Sequence, residues 1–188
     1  SDPGGGPRKS FVVPHVGGRY SDLASHDPEL EWNVEIHSAW GTFEWLLHDA
    51  FRLGYRVGVC ANSDGHKGRP GASYPGASKF GSYGGLTCVL SNALTRDSVM
   101  AALQSRRCYG TTGNRCLVDM SLSLSDGSSA EMGDIVEVSG QEASLEIDVT
   151  GTAPIERIDV FNGTKVISIL RSFGKDDLGR RVKVAWSG

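Results

Sequence analysis

Arg56-Val57-Gly58-Val59-Cys60-Ala61-Asn62-Ser63-Asp64-Gly65-His66-Lys67-Gly68-Arg69-Pro70 begins as an apolar run and breaks off at Ser63-Asp64-Gly65-His66. Val57 to Ala61 holds only apolar and small residues, the composition of a strand buried on both faces. The run then ends in a carboxylate and an imidazole separated by one glycine, whose backbone freedom lets the two side chains converge on a single cation. Asp64 and His66 are therefore metal-ligand candidates. Asp-Gly is equally a turn dipeptide, and a solvated loop histidine needs no metal, so the choice depends on what neighbouring strand ends carry.

Working back from this strand, Thr42 reads as the N-cap of a helix with Glu44 in its first turn and Gly54 as its stop. Phe43, Leu46, Leu47, Ala50 and Phe51 form its apolar stripe. Trp32 to His37 alternates as a strand does and puts Glu35 and His37 on one face, read either as a solvated face or as ligands. Strand, helix, strand is a crossover unit, which gives parallel pairing. Phe11-Val12-Val13 is a further short strand that runs into Pro14-His15. A third strand end thus carries a ligand type.

Working forward, Asn62 to Gly85 is a Gly, Pro and Ser loop far longer than an ordinary connection, with Lys67, Arg69 and Lys79 as its cations. Leu86 to Leu90 reads as another buried strand, and Thr95 caps a helix that runs to about Arg107 with Val99, Ala102 and Leu103 inward. After Cys108 to Gly113 the period changes. Leu117 to Leu124, Ala143 to Thr150, Ile155 to Phe161, Thr164 to Leu170 and Arg181 to Trp186 read as strands divided by turn dipeptides, which describes an antiparallel sheet or sandwich. The domains expected are a flexible end over 1–9, an α/β domain over 10–115 and an all-β accessory domain over 116–188.

The totals bound the function. With 188 residues, 39% hydrophobic and 22% charged, the chain buries a real core. A net charge of -3 without a run of like charge argues against a nucleic-acid surface. No apolar run approaches the roughly 20 residues that span a bilayer, so no membrane partner is expected; no basic-then-apolar leader is visible, and the location stays open between cytoplasm and periplasm. Cys60 and Cys88 sit in apolar runs as small hydrophobes, and a Cys108 to Cys116 disulfide stays open for an oxidising compartment.

In parallel sheets and barrels the loops that follow the strands converge, so functional side chains collect at the carboxyl ends. His15, Glu35 or His37, and Asp64 with His66 meet this condition on successive strands. Nitrogen and carboxylate donors without thiolate suit zinc, manganese or iron, and a bridging Glu suits a site with several metals.

Pro14-His15-Val16-Gly17-Gly18, Val34-Glu35-Ile36-His37-Ser38-Ala39-Trp40-Gly41-Thr42-Phe43-Glu44-Trp45, Ser63-Asp64-Gly65-His66, Gly85-Leu86-Thr87 and Arg106 to Gly113 together resemble the carboxyl-terminal half of a PHP (polymerase and histidinol phosphatase) domain, nearest to its domain of unknown function 3604 branch. The resemblance covers Phe11 to Gly113 and extends more weakly to Met132-Gly133 and Gly151 to Pro154. It implies an α/β fold, the carboxyl-terminal part of a distorted (β/α)7 barrel followed by a small antiparallel β-sandwich-like domain. It also implies two or three divalent metals (Zn, Mn or Fe) in the intact site and hydrolysis of a small phosphorylated substrate. His15 matches the family's isolated metal-binding His, and Asp64 and His66 match its terminal Asp-x-His; Glu35 and His37 fall on a Glu-rich strand as further candidates.

The family's opening His-x-His, its next His and its bridging Glu have no counterpart here. Only four barrel-type strands precede the expected boundary, whereas a closed barrel takes about 250 residues. The expectation is therefore a fragment of a metal-dependent phosphoesterase, inactive alone, whose partner is the missing amino-terminal half of the barrel and whose open strand edges invite self-association. His15, Asp64 and His66 are its catalytic metal-site candidates, and Arg19 and Arg69 its candidate substrate clamps. The rival expectation is a non-catalytic sheet-rich interaction module with a degenerate or structural metal site.

Overall fold

The computed structural model describes residues 10–16, 20–69, 83–138, 140 and 142–174. Its elements in chain order are β1 (Asn33–Ser38), β2 (Gly41–Thr42), α1 (Glu44–Arg52), β3 (Gly58–Ala61), β4 (Leu86–Val89), α2 (Arg96–Gln104), β5 (Cys108–Thr111), β6 (Leu117–Leu124), β7 (Ser129–Glu131), β8 (Ala143–Thr150), β9 (Arg157–Asn162) and β10 (Lys165–Arg171). The chain divides into two compact units, Ser1–Thr152 and Ala153–Gly188. The boundary expected near residue 116 falls inside the first. The flexible end expected over 1–9, Arg19 and the strand expected over Arg181 to Trp186 lie outside the described residues.

The first unit is built on β1. Its register with β3 is parallel, Asn33 opposite Gly58 and Val34 opposite Val59, and α1 makes the crossover between the two strands. Leu46 and Ala50 of α1 pack with Val34, Val16 and Leu23 in a buried cluster edged by Phe43, Leu47 and Val57. Burying Leu46 and Val34 fully is worth about 1.5–3 kcal/mol for each side chain. The helix starts at Phe43, without a side-chain cap; the Thr42 hydroxyl belongs instead to β2, where it meets His37. Thr95 does cap α2, its hydroxyl accepting from Ser98 N–H at 3.3 Å. No described helix is long and apolar enough to cross a membrane.

The (β/α)7 barrel expectation is overturned, and so is an α/β class. The fold is sheet-rich, with two helices and ten strands among the described residues, in small separate sheets: β2-β1-β3, β4-β5, β7-β6-β8 and β10-β9. Two local events explain why the parallel sheet stops at β3. Thr87 Oγ1 accepts from Ala61 N–H at 3.0 Å and donates to Ala61 C=O at 2.7 Å, so a side chain occupies both backbone groups that a β3–β4 ladder would use. The path through α2 is then an excursion rather than a crossover. It leaves at Val89 and returns at Cys108, directly opposite, so β5 runs antiparallel to β4.

β6 pairs antiparallel with β7 and β8 over strands that the sequence alternation places at Leu117–Leu124 and Ala143–Thr150. The turn that follows β7 is fastened to the end of α2: Arg106 donates through Nε and Nη2 to Gly133 O at 3.2 and 3.1 Å. The Tyr109 hydroxyl, on β5, donates to Cys116 O at 2.9 Å and accepts from Val118 N–H at 3.1 Å. In the second unit β9 and β10 form an antiparallel hairpin around Gly163.

Candidate functional site

Glu35 is the pivot of the site. It lies on β1 with its side chain 11% exposed, and its backbone N–H donates to Pro14 O at 2.9 Å. With the Val12 N–H bond to Leu30 O at 2.8 Å, that bond draws the segment before β1 alongside the strand and brings His15 to it, Nδ1 lying 3.7 Å from Glu35 Oε1. The other carboxylate oxygen, Oε2, accepts from Asn62 Nδ2. Burial pushes the Glu35 carboxyl above its ordinary 4.5; the Asn62 donor and the His15 ring oppose the shift, and the charge of Asp64 adds to it.

Asp64 stands at φ 48, one of two described non-glycine residues with positive φ. The left-handed region costs an L-residue roughly 1–2 kcal/mol, less for Asp, whose short side chain bonds locally. Its Oδ2 is buried and has no hydrogen-bond partner among the described residues, and its Oδ1 lies 3.6 Å from His66 Nδ1. That nitrogen donates to Asp64 C=O at 2.8 Å. A backbone carbonyl holding one imidazole nitrogen is the usual outer support of a metal-ligating histidine.

The five ligand candidates are therefore not equivalent. His15 stands beside Glu35, His66 beside Asp64, and the two carboxylates sense each other's charge. His37 is buried on β1 with both ring nitrogens engaged, Nδ1 at 2.7 Å from Thr42 Oγ1 and Nε2 at 3.0 Å from Tyr83 O. Arg69 is exposed in the loop that continues from His66, and Arg19 lies outside the described residues. Among the described residues no three His, Cys, Asp or Glu side chains group as a metal site. In kind the donors fit a divalent cation, and the orphaned Oδ2 of Asp64 is the atom a cation would satisfy; in number they form two pairs rather than a complete set.

Two features escaped the sequence reading. Asn62, the residue after the buried strand, holds Glu35, and only its place between a strand and Ser63-Asp64 hints at this. Gly85 permits close approach: a Cβ there would lie 2.5 Å from Ala61 Cβ and 3.0 Å from His37 Cδ2. Cysteine chemistry finds no support among the deepest thiols, since burial pushes Cys60 up to about 12 and Cys108 up to about 11, and all four cysteines are unpaired. A cavity of about 630 Å³ lies elsewhere in the unit, lined by Cys88, Arg107, Tyr109, Asp119, Glu131 and Asp148 among others, and includes none of the site residues.

The chain is similar to an uncharacterized protein of Chlamydia pneumoniae, 26% identical over 176 residues that cover 78% of this chain and 27% of the relative. An uncharacterized protein of Chlamydia trachomatis is likewise 26% identical, over 79% of this chain and 27% of its own length. One of Chlamydia muridarum is 37% identical over 81 residues, 40% of this chain and 12% of the relative. The chain thus spans about a quarter of the length of the first two curated relatives it matches. No family model and no solved structure matches it.

Proposed function

We propose that this chain carries part of a metal-dependent hydrolytic centre in which Asp64 and His66, with Glu35 and His15, hold a divalent cation. The observation that carries this reading is the buried Oδ2 of Asp64, without a hydrogen-bond partner among the described residues, on a backbone in the left-handed region and close enough to Glu35 for their charges to act on each other. Leaving a carboxylate oxygen buried and unpaired is costly, and it persists where a ligand satisfies it. The resemblance of the Asp-x-His and isolated His motifs to the PHP phosphoesterases supports a phosphate ester as the substrate class. When bound, the cation supplies a water of lowered pKa and neutralises charge on phosphoryl oxygens.

The protein residues have separable tasks in this reading. Asp64 and His66 donate from one loop, fixed by the His66 Nδ1 bond to Asp64 C=O. Glu35 and His15 form the second pair, on β1 and the segment before it. Donors beyond these two pairs come from elsewhere in the protein. In the natural full-length protein, Asp64→Ala combined with His66→Ala abolishes Mn²⁺-dependent hydrolysis of p-nitrophenyl phosphate and the metal content found by elemental analysis. Unchanged turnover and metal content reject the reading.

A second reading, a non-catalytic sheet-rich interaction module, is favoured by a different observation. Val166, Ile167, Ile169 and Leu170 on β10 are all exposed, an apolar surface on a two-stranded hairpin that needs further packing for stability. A metal-free, turnover-free full-length protein that associates through this hairpin decides for the module.

A further inference from the structure

We infer that Asn62 is a positioning residue that decides which oxygen of Glu35 the centre uses, an inference that rests on the hydrolytic reading above. Asn62 Nδ2 donates to Oε2, while Oε1 is the oxygen on the side of His15, 3.7 Å from its Nδ1. A carboxylate tied at one oxygen by a neutral amide keeps its charge and offers the other oxygen in a fixed direction. Untied, it turns about its last torsion, whose wells are broad.

The amide is aimed by backbone bonds on both sides of it. Asn62 N–H donates to His37 O at 3.1 Å, and Asn62 C=O accepts from Gly85 N–H at 2.8 Å. Both partners are themselves fixed. The His37 ring is anchored to Thr42 and Tyr83, and Gly85 is packed so closely against Ala61 and His37 that it accommodates no side chain. Three bonds from one residue, two main-chain and one side-chain, thus carry the rigidity of the β1–β3 sheet to the Glu35 carboxylate. Asn62 is itself exposed, yet its side chain turns inward to a buried acid 27 residues away in sequence.

The inference is tested in the natural full-length protein by calorimetric Mn²⁺ titration, by kcat and KM for p-nitrophenyl phosphate, and by melting temperature, for Asn62→Ala, Glu35→Gln, their combination and Asp64→Asn. Asn62→Ala is expected to weaken Mn²⁺ binding or lower kcat by about 10–100-fold, the usual cost of losing an outer support. Its KM stays within about threefold of wild type, and the double variant is no worse than Glu35→Gln alone, because Asn62 acts through Glu35. A fall in melting temperature with unchanged Mn²⁺ affinity and kcat, or effects of the two variants that simply multiply, overturns the role of Asn62. Losses in Asp64→Asn with none in Asn62→Ala overturn Asn62 alone; no loss in Asp64→Asn, Glu35→Gln or Asn62→Ala overturns the hydrolytic reading and the inference together.

Discussion

His37 Nε2 lies 3.0 Å from the carbonyl oxygen of Tyr83, 46 positions along the chain, while Nδ1 of the same ring lies 2.7 Å from Thr42 Oγ1. A carbonyl only accepts, so Nε2 bears the proton and, in the neutral ring, Nδ1 accepts from the Thr42 hydroxyl. The residue is a brace between β1, β2 and the segment that enters β4. His37→Ala is therefore expected to cost about 1–3 kcal/mol in urea unfolding, by leaving partly buried acceptor and donor groups unpaired. Mn²⁺ affinity of the folded variant stays within about twofold of wild type on that account. A metal affinity that collapses while stability holds makes His37 a ligand instead.

Asp64 is expected to behave in the opposite way. Its buried Oδ2 lacks a partner among the described residues, and its charge works against ionisation of Glu35. Asp64→Asn removes that repulsion, so the metal-free variant is expected to match or exceed wild type in stability by about 0.5–2 kcal/mol, the usual gain when a functional strain is relieved. On the hydrolytic reading Mn²⁺ is expected to raise the melting temperature of the wild type and not of the variant, because ligand stabilisation depends on affinity for the folded state. Thermal unfolding with and without Mn²⁺ measures both arms.

The acid limb of stability carries two carboxylates of opposite sign. Glu35 has a folded pKa above its ordinary 4.5, chiefly from burial, so its folded form favours the proton. The stability it contributes is complete below the ordinary value and is lost as pH rises through the raised one. Asp134 is held below 3.8, first by the Glu131 N–H and then by Arg107, so its contribution is present above 3.8 and is lost as pH falls through the lowered value. Glu35→Gln keeps an oxygen for Asn62 and is expected to be more stable than wild type at neutral pH, the difference closing as pH falls toward 4.5. Asp134→Asn shows its deficit at neutral pH and converges on wild type in stronger acid. Denaturant unfolding from pH 3 to 8 separates the two.

What the sequence disclosed follows from how local each signal is. The β1 and β3 strands, α1 between them, and β6 and β8 are written in apolar period and turn residues within a few positions of each other. The β4–β5 pairing is not, because it depends on where the chain lands after α2, and Cys108-Tyr109-Gly110-Thr111 has too little alternation to announce a strand. The barrel was an inference from motif resemblance; the Thr87 hydroxyl that interrupts the sheet at Ala61 is a tertiary contact across 26 residues. That Asp64 and His66 lie side by side was legible because they share a turn. Glu35 and His37 looked alike by alternation, and only their partners, Asn62 for one and Thr42 with Tyr83 for the other, distinguish an acid held by one amide from a ring engaged at both nitrogens.

Gly133 offers a test of how the β6–β7 layer is fastened to α2 that leaves the site untouched. Its φ is +91, and a Cβ there would lie 2.2 Å from Ser105 O and 2.7 Å from Arg106 C, backbone atoms that cannot swing away. The same glycine carbonyl accepts both Arg106 bonds, and Arg107 reaches Glu131 at 3.2 Å and Asp134 at 3.3 Å from the neighbouring position. The exposed ion pairs contribute little, so the close backbone approach dominates. Gly133→Ala is expected to destabilise the chain by about 2–4 kcal/mol, combining a left-handed backbone with a steric clash. Arg107→Ala is expected to cost only about 0–1 kcal/mol, as surface ion pairs do. If urea unfolding ranks the two the other way, the layer is held by charge rather than by fit.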